Sequence, residues 1–220
     1  MVVMVVDLDK SKLDVFINKL VDYSNSDKVD NQYKNVLQRN NLINYLNNMY
    51  QSQPTILLVG EAPGYKGCRL TGIPFTSEYI ISTHKELKVF TGCYVDGKQS
   101  EKTATIVWDI LFEKEKDGKL ILLPLLWNIF PFHPINNGCQ MMNRKPTKEE
   151  RELGFSILNE LLELFPSIDK IYAVGKSAES MLVKSKNVKY AGTLRHPSHG
   201  GKKEFIEGIK KNLFINLIGL

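Results

Sequence analysis

The sequence predicts an α/β domain whose mostly parallel sheet is covered on both faces by helices. Three observations carry this expectation. Short apolar runs of strand character recur at Ile56–Val59, Leu122–Phe130, Ile171–Val174 and Val188–Leu194, and runs of this length read as buried strands. Segments with helical periodicity separate them, and strands alternating with helices are joined through crossovers into a parallel sheet. The first run ends abruptly in Gly60-Glu61-Ala62-Pro63-Gly64, a Gly/Pro turn that opens a strand at its carboxyl end. In an open α/β sheet that end is where ligands bind.

The elements follow in order. The first fifty residues are polar and helical in pattern, with helices over 12–23 and 31–51 and Asp30 as an N-cap for the second. Tyr33, Val36, Leu37, Ile43, Leu46 and Tyr50 form one apolar stripe on it. Residues 1–53 are read as a helical extension packed on the sheet, and residues 1–220 as a single domain. After the first strand, residues 64–77 are rich in Gly, Pro and polar side chains and read as irregular. Ser100 or Thr103 caps a helix over 104–112. Thr147-Lys148-Glu149-Glu150 is a capping-box pattern opening a helix over 148–165. Gly175-Lys176-Ser177 turns into a short helix ending near Val183, and an amphipathic helix over 202–217 closes the chain.

Composition bounds the function. At 220 residues, 43% hydrophobic and 24% charged, the chain suits one well-buried core. Met1 to Val6 is too short an apolar run to span a bilayer and lacks a basic flank, so no membrane partner is expected. Cys68, Cys93 and Cys139 are widely spaced and odd in number, which points away from a disulfide framework and towards a reduced, cytoplasmic protein. The net charge is +5, yet eight of the basic residues fall between Lys184 and Lys211 against only Glu204 and Glu207. A polyanion would dock there, although a solvated helix face has the same composition.

Candidate chemistry lies in four places. Glu61 is one ionisable group in the Gly60–Gly64 turn, where Gly and Pro let backbone approach a ligand. Phe75 stands between Pro74 and Thr76 in a polar loop, either as a core plug or as a ring that stacks on a planar base. Asn128 interrupts the apolar run Leu125–Pro131; a buried carboxamide needs partners, either a neighbouring loop's backbone or the polar edge of a planar base, to which its amide offers donor and acceptor. His196 follows a strand in Arg195-His196-Pro197-Ser198-His199-Gly200-Gly201 and is suited to donate to an oxygen that gains negative charge. The four histidines have no ligand spacing with one another or with cysteine, so no metal is expected.

Taken in order, strand-Gly-x-x-Pro, Gly-x-x-Phe at Gly72–Phe75, the strand Asn128 and the late His196-Pro197-Ser198 resemble the active-site segments of the uracil-DNA glycosylase superfamily. Gly60-Glu61-Ala62-Pro63-Gly64 is similar to its iron–sulfur bacterial and archaeal branch, and the likeness extends over roughly residues 56–214. The resemblance implies a three-layer α/β/α sandwich on a four-stranded parallel sheet. It further implies hydrolysis of an N-glycosidic bond in DNA after base flipping, in base-excision repair. Glu61 and His196 would be catalytic, and Gly60, Ala62, Pro63, Gly64, Phe75 and Asn128 would bind the base. Ser77, Ser198, His199, Gly200 and Lys202 would hold the DNA backbone. The expected partner is DNA containing uracil or a related deaminated base, acted on by a monomer without a cofactor. The chain departs from the pattern in having Ala62 where a water-positioning Asp stands, Gly64 where a methyl-excluding Tyr stands, and three cysteines where the cluster needs four. No hydrophobic wedge follows His196-Pro197-Ser198. A catalytically silent nucleic-acid binder and a hydrolase of free deoxynucleosides are the alternatives.

Overall fold

Asp9 starts the first ordered helix because its carboxylate accepts from the backbone of Ser11 and Lys12 at 3.0 and 3.3 Å. The computed structural model of the protein describes residues 9–84, 93–113, 119–121, 123–136, 138–185, 189–198 and 200–216. Met1 to Val6, Leu122, Val188, His199 and Leu217 lie outside them. Helix α1 spans Lys10–Asp22 and buries Leu13, Phe16, Ile17 and Leu20.

The helix expected from Asn31 starts only at Val36. Val29–Asp30 form a short strand, β1, and Gln32–Lys34 a 3-10 turn, before α2 at Val36–Gln51. Asn31 explains the delay: its amide donates to Leu20 O and Tyr23 O, while its Oδ1 accepts from Tyr33 N at 3.0 Å. Asp30 caps nothing and instead pairs with the Arg69 guanidinium at 2.6 Å.

Strand β2 (Ile56–Gly60) is buried throughout. A short helix, α3 (Cys68–Thr71), occupies ground that the sequence pattern left irregular, and a second, α4 (Glu78–Thr83), follows it. Helix α5 (Lys102–Leu111) has Glu101, not Ser100 or Thr103, at its N-cap, and no side chain caps it. Strand β3 (Lys119–Ile121) is followed by β4 (Leu125–Asn128), the core of the longer run expected there. A hairpin of β5 (His133–Asn136) and β6 (Cys139–Asn143) comes next, with β1 antiparallel to β5.

Helix α6 (Lys148–Leu164) opens with the expected capping box, Thr147 and Glu150 exchanging bonds of 3.2 and 2.7 Å. The remaining elements are β7 (Lys170–Val174), α7 (Lys176–Leu182), β8 (Tyr190–Leu194) and α8 (Lys202–Leu213). The last helix stops short of Leu217. Phe214–Asn216 leave it as β9, antiparallel to β3, because two short edges satisfy each other's backbone.

The central sheet has the order β4-β2-β7-β8 with every pair parallel, and helices lie on both sides of it. The buried apolar cluster reaches from Leu13 of α1 through the sheet to Leu213 of α8. Among the described residues no helix is long and apolar enough to cross a membrane.

Candidate active site

The parallel register sets Gly60 opposite Asn128. Pairing continues past the strands: Ile129 N donates to Gly60 O at 2.8 Å and Phe130 N to Glu61 O at 3.0 Å. This holds Glu61 and Asn128 at the carboxyl ends of neighbouring strands. Gly60 is required by close approach, since a Cβ there would lie 2.5 Å from Phe75 Cζ and 2.8 Å from Asn128 Oδ1. Asn128 is 4% exposed, and its Nδ2 meets Cys68 Sγ at 4.0 Å.

Phe75 has φ +55°, in the left-handed region. A non-glycine residue there costs about 1–3 kcal/mol and persists only when its surroundings fix it. Here Thr71 Oγ1 donates to Thr76 O at 3.0 Å and accepts from Ile73 N, and Trp108 Nε1 donates to Thr76 Oγ1 at 2.9 Å. The turn is therefore clamped from inside, and Phe75 keeps only 8% exposure while still lining the site. The same clamp overturns the expectation for Ser77. That residue is fully buried, its hydroxyl sealed without a partner among the described residues, so it cannot touch a DNA phosphate.

On the other half of the sheet, His196 follows β8. Its Nδ1 lies 2.7 Å from Ser198 Oγ and accepts from Ser198 N at 3.2 Å. A backbone N–H can only donate, so Nδ1 carries the lone pair and the neutral ring keeps its proton on Nε2. Ser198 is thereby engaged in orienting the imidazole. Gly175, at φ +88°, clears room for it, since a Cβ there would come within 3.2 Å of His196 Cβ.

A cavity of about 570 Å³ lies between these two halves, and Glu61, Phe75, Asn128, His196, Ser198 and Glu101 all line it. Ala62 and Gly64 line it as well. Pro63 does not, being buried with its carbonyl accepting from His133 Nδ1 at 2.9 Å. Burial lowers the His133 pKa. Gly200, at φ +82°, and Lys202, at the start of α8, are exposed outside the cavity. His199 lies outside the described residues. Among the described residues no three His, Cys, Asp or Glu side chains gather as a metal site, and no disulfide joins Cys68, Cys93 or Cys139.

Sequence reasoning missed Glu101, Lys145 and Lys176, which also line the cavity, as does Arg195 of the basic segment. Desolvation pushes the Glu101 carboxyl up to about 7. Burial, with the nearby Glu101 second, raises the Cys68 thiol far above its ordinary range. No local motif marks Glu101. It becomes visible only when the chain is folded and its carboxyl rests on the Gly64–Gly67 loop.

The family model described as Uracil DNA glycosylase superfamily matches residues 48–213. Among solved structures, the chain is similar to the crystal structure of wild-type SMUG2 from Pedobacter heparinus, at 20% identity and a TM-score of 0.67. That match covers 91% of this chain and 96% of the other, and at this identity it is a likeness of fold. No curated protein matches the chain in sequence.

Proposed function

The chain belongs to the uracil-DNA glycosylase superfamily, and on that premise we propose that it is a monofunctional DNA glycosylase removing uracil or a related deaminated base. It acts as a cytoplasmic monomer in base-excision repair and needs no cofactor. The observation that carries this reading is the convergence of Phe75, Asn128 and an oriented His196 on one cavity at the strands' carboxyl ends.

The chemistry follows from these groups. A flipped base enters the cavity, covered on one side by the fixed ring of Phe75. Asn128 presents a donor and an acceptor to its imide edge, at a site where an unmatched base leaves buried polar atoms unpaired. As the bond between sugar C1′ and base nitrogen breaks, its electron pair goes to the base and positive charge builds on the sugar. The Nε2–H of His196 donates to the base oxygen that gains this charge, without reorganising, because Ser198 holds the other ring nitrogen. Glu61, one of whose carboxylate oxygens is buried without a partner among the described residues, supplies negative charge towards the sugar cation. His199, Gly200 and Lys202 are read as the contacts to the backbone strand, while Ser198, expected to share that task, spends both its N–H and its O–H on His196 Nδ1.

Incubation with single-stranded DNA carrying one uracil, followed by alkali, tests the reading. Strand cleavage at the uracil position supports it. Binding without cleavage supports a silent nucleic-acid binder, and release of base only from free deoxyuridine supports a nucleoside hydrolase.

A further inference from the structure

Glu101 is a carboxyl group with no stated task in a place where carboxyl groups are costly. It stands at the N-cap of α5 and makes no capping bond. Its oxygens instead lie against Gly64 and Gly67, so closely that a Cβ at either position would collide with them. Among the described residues no donor bonds to the carboxyl and no cation pairs with it. The group is desolvated enough to raise its pKa to about 7. Glu101 is half-buried, so its carboxyl is partly desolvated with no partner among the described residues to offset the cost, and such a group calls for an explanation.

The cavity supplies one. Glu101 lines it together with Glu61, Asn128 and His196. The turn that carries Glu61 continues into Ala62, a residue with no group to activate water, and one oxygen of Glu61 is sealed from solvent. Resting on the glycosylase reading above, we infer that Glu101 is a catalytic residue of this cavity: its carboxylate takes a proton from the water that attacks the sugar. A bond forms between the water oxygen and C1′ as the bond from C1′ to the base nitrogen breaks, its electron pair leaving with the base. One water proton stays on the new sugar hydroxyl. The other passes to Glu101 and then to the departed base, which restores the carboxylate.

A general base works best when its pKa lies near the operating pH, and the position of Glu101 meets this without an ion pair. The titratable and charged groups around it are Cys68 of α3 behind it and, on the cavity wall, Glu61, Lys145, Lys176, Arg195 and His196. Because an imidazole is the other kind of side chain that ordinarily titrates near neutrality, the test must separate Glu101 from His196.

Single-turnover excision of uracil from single-stranded DNA between about pH 5.5 and 9 does so. The wild type is expected to gain rate with pH through an inflection near 7. Glu101→Gln is expected to lose about 10²–10⁴ in rate and to lose that inflection. Glu101→Asp, which withdraws the carboxylate by one methylene, should be slower than wild type but keep it. Three results would overturn the assignment: an unimpaired Glu101→Gln, a slowed variant that keeps the inflection, or a changed base preference at unchanged rate. If Glu101→Gln does not fold, a Glu101→Asp profile without the inflection does the same. A wild type silent on every uracil substrate overturns the glycosylase reading itself, and this step with it. An active wild type beside an active Glu101→Gln overturns this step alone.

Discussion

The half of the cavity carried by β2, β4 and the start of α5 and the half carried by β7 and β8 serve one site with opposite electrostatics. The first sets Glu61 and Glu101 beside a fixed phenyl ring and a carboxamide, with the Glu101 carboxyl held up near 7 by desolvation alone. The second presents Lys176, Arg195 and an imidazole whose tautomer is set by a backbone N–H. A reaction that builds positive charge on a sugar and negative charge on a base has use for both halves, each aimed at one end of the breaking bond. The difference shows that groups 135 residues apart, Glu61 and His196, are made complementary by the sheet register. Neither local environment does this alone.

After the Glu101→Gln loss, the largest expected effect lies on the cationic half. His196→Ala should lower single-turnover excision by about 10²–10³ while DNA affinity changes little, because the lost donor acts on charge that exists only in the transition state. Ser198→Ala should cost less, since the Ser198 N–H still holds Nδ1. Wild-type-like excision by a folded His196→Ala would leave the acidic half to carry the chemistry.

On the acidic half the next effect is one of stability. An ordinary glutamate loses its proton near 4.5, whereas folded Glu101 holds its own to about 7. Between these values the folded state binds more protons than the unfolded one, so this group's contribution to stability falls as pH rises and is fully unfavourable above 7. Glutamine has no such proton. Glu101→Gln should therefore gain stability relative to wild type by about 3 kcal/mol between pH 4 and pH 8. Urea unfolding at the two pH values measures it; a pH-independent difference would mean that the carboxyl is solvated.

Matched glycine substitutions compare the two halves directly. Gly60→Ala brings a Cβ against Phe75 and Asn128 on one side, and Gly175→Ala brings one against His196 at φ +88° on the other. Each should destabilise by about 1–3 kcal/mol, measured by thermal unfolding. Gly60→Ala should blur discrimination between bases, whereas Gly175→Ala should lower excision of all of them alike.

The two halves also differ in how far the sequence announced them. Most of the cationic half is contiguous: Arg195 to Lys202 follow one strand, so a local pattern finds all of it but Lys176. The acidic half is assembled from residues near 61, 75, 101 and 128, and only the register and the glycines at 64 and 67 reveal Glu101. The order of strands and helices and the capping box at Thr147 were legible because each rests on periodicity or on a few neighbouring residues. The β5–β6 hairpin was not, because Pro134 interrupts one strand and Cys139–Asn143 are exposed on both faces, leaving no alternation to read. The family resemblance places Ser77 against the DNA backbone, because nothing local shows that Trp108 folds the turn inward.

The smallest expected effect concerns the approach of DNA to the cationic half. Lys202 and Lys203 are exposed at the start of α8, and the only partner either has among the described residues is Glu207, 4.0 Å from Lys203 with both side chains largely exposed. Such a pair contributes at most about 0.5 kcal/mol to folding, so both lysines can be removed without unfolding the protein. If each neutralises one phosphate, the double change to Ala lowers the slope of log affinity against log salt by about 1.4 on single-stranded DNA, about 0.7 for each contact. Affinity should fall equally for uracil-containing and normal DNA, because a phosphate contact carries no sequence information. Fluorescence anisotropy across a salt series measures both quantities. An unchanged slope would confine DNA contact to the cavity rim, where Lys176 and Arg195 stand. A changed base preference would show that the start of α8 reaches past the backbone into the site.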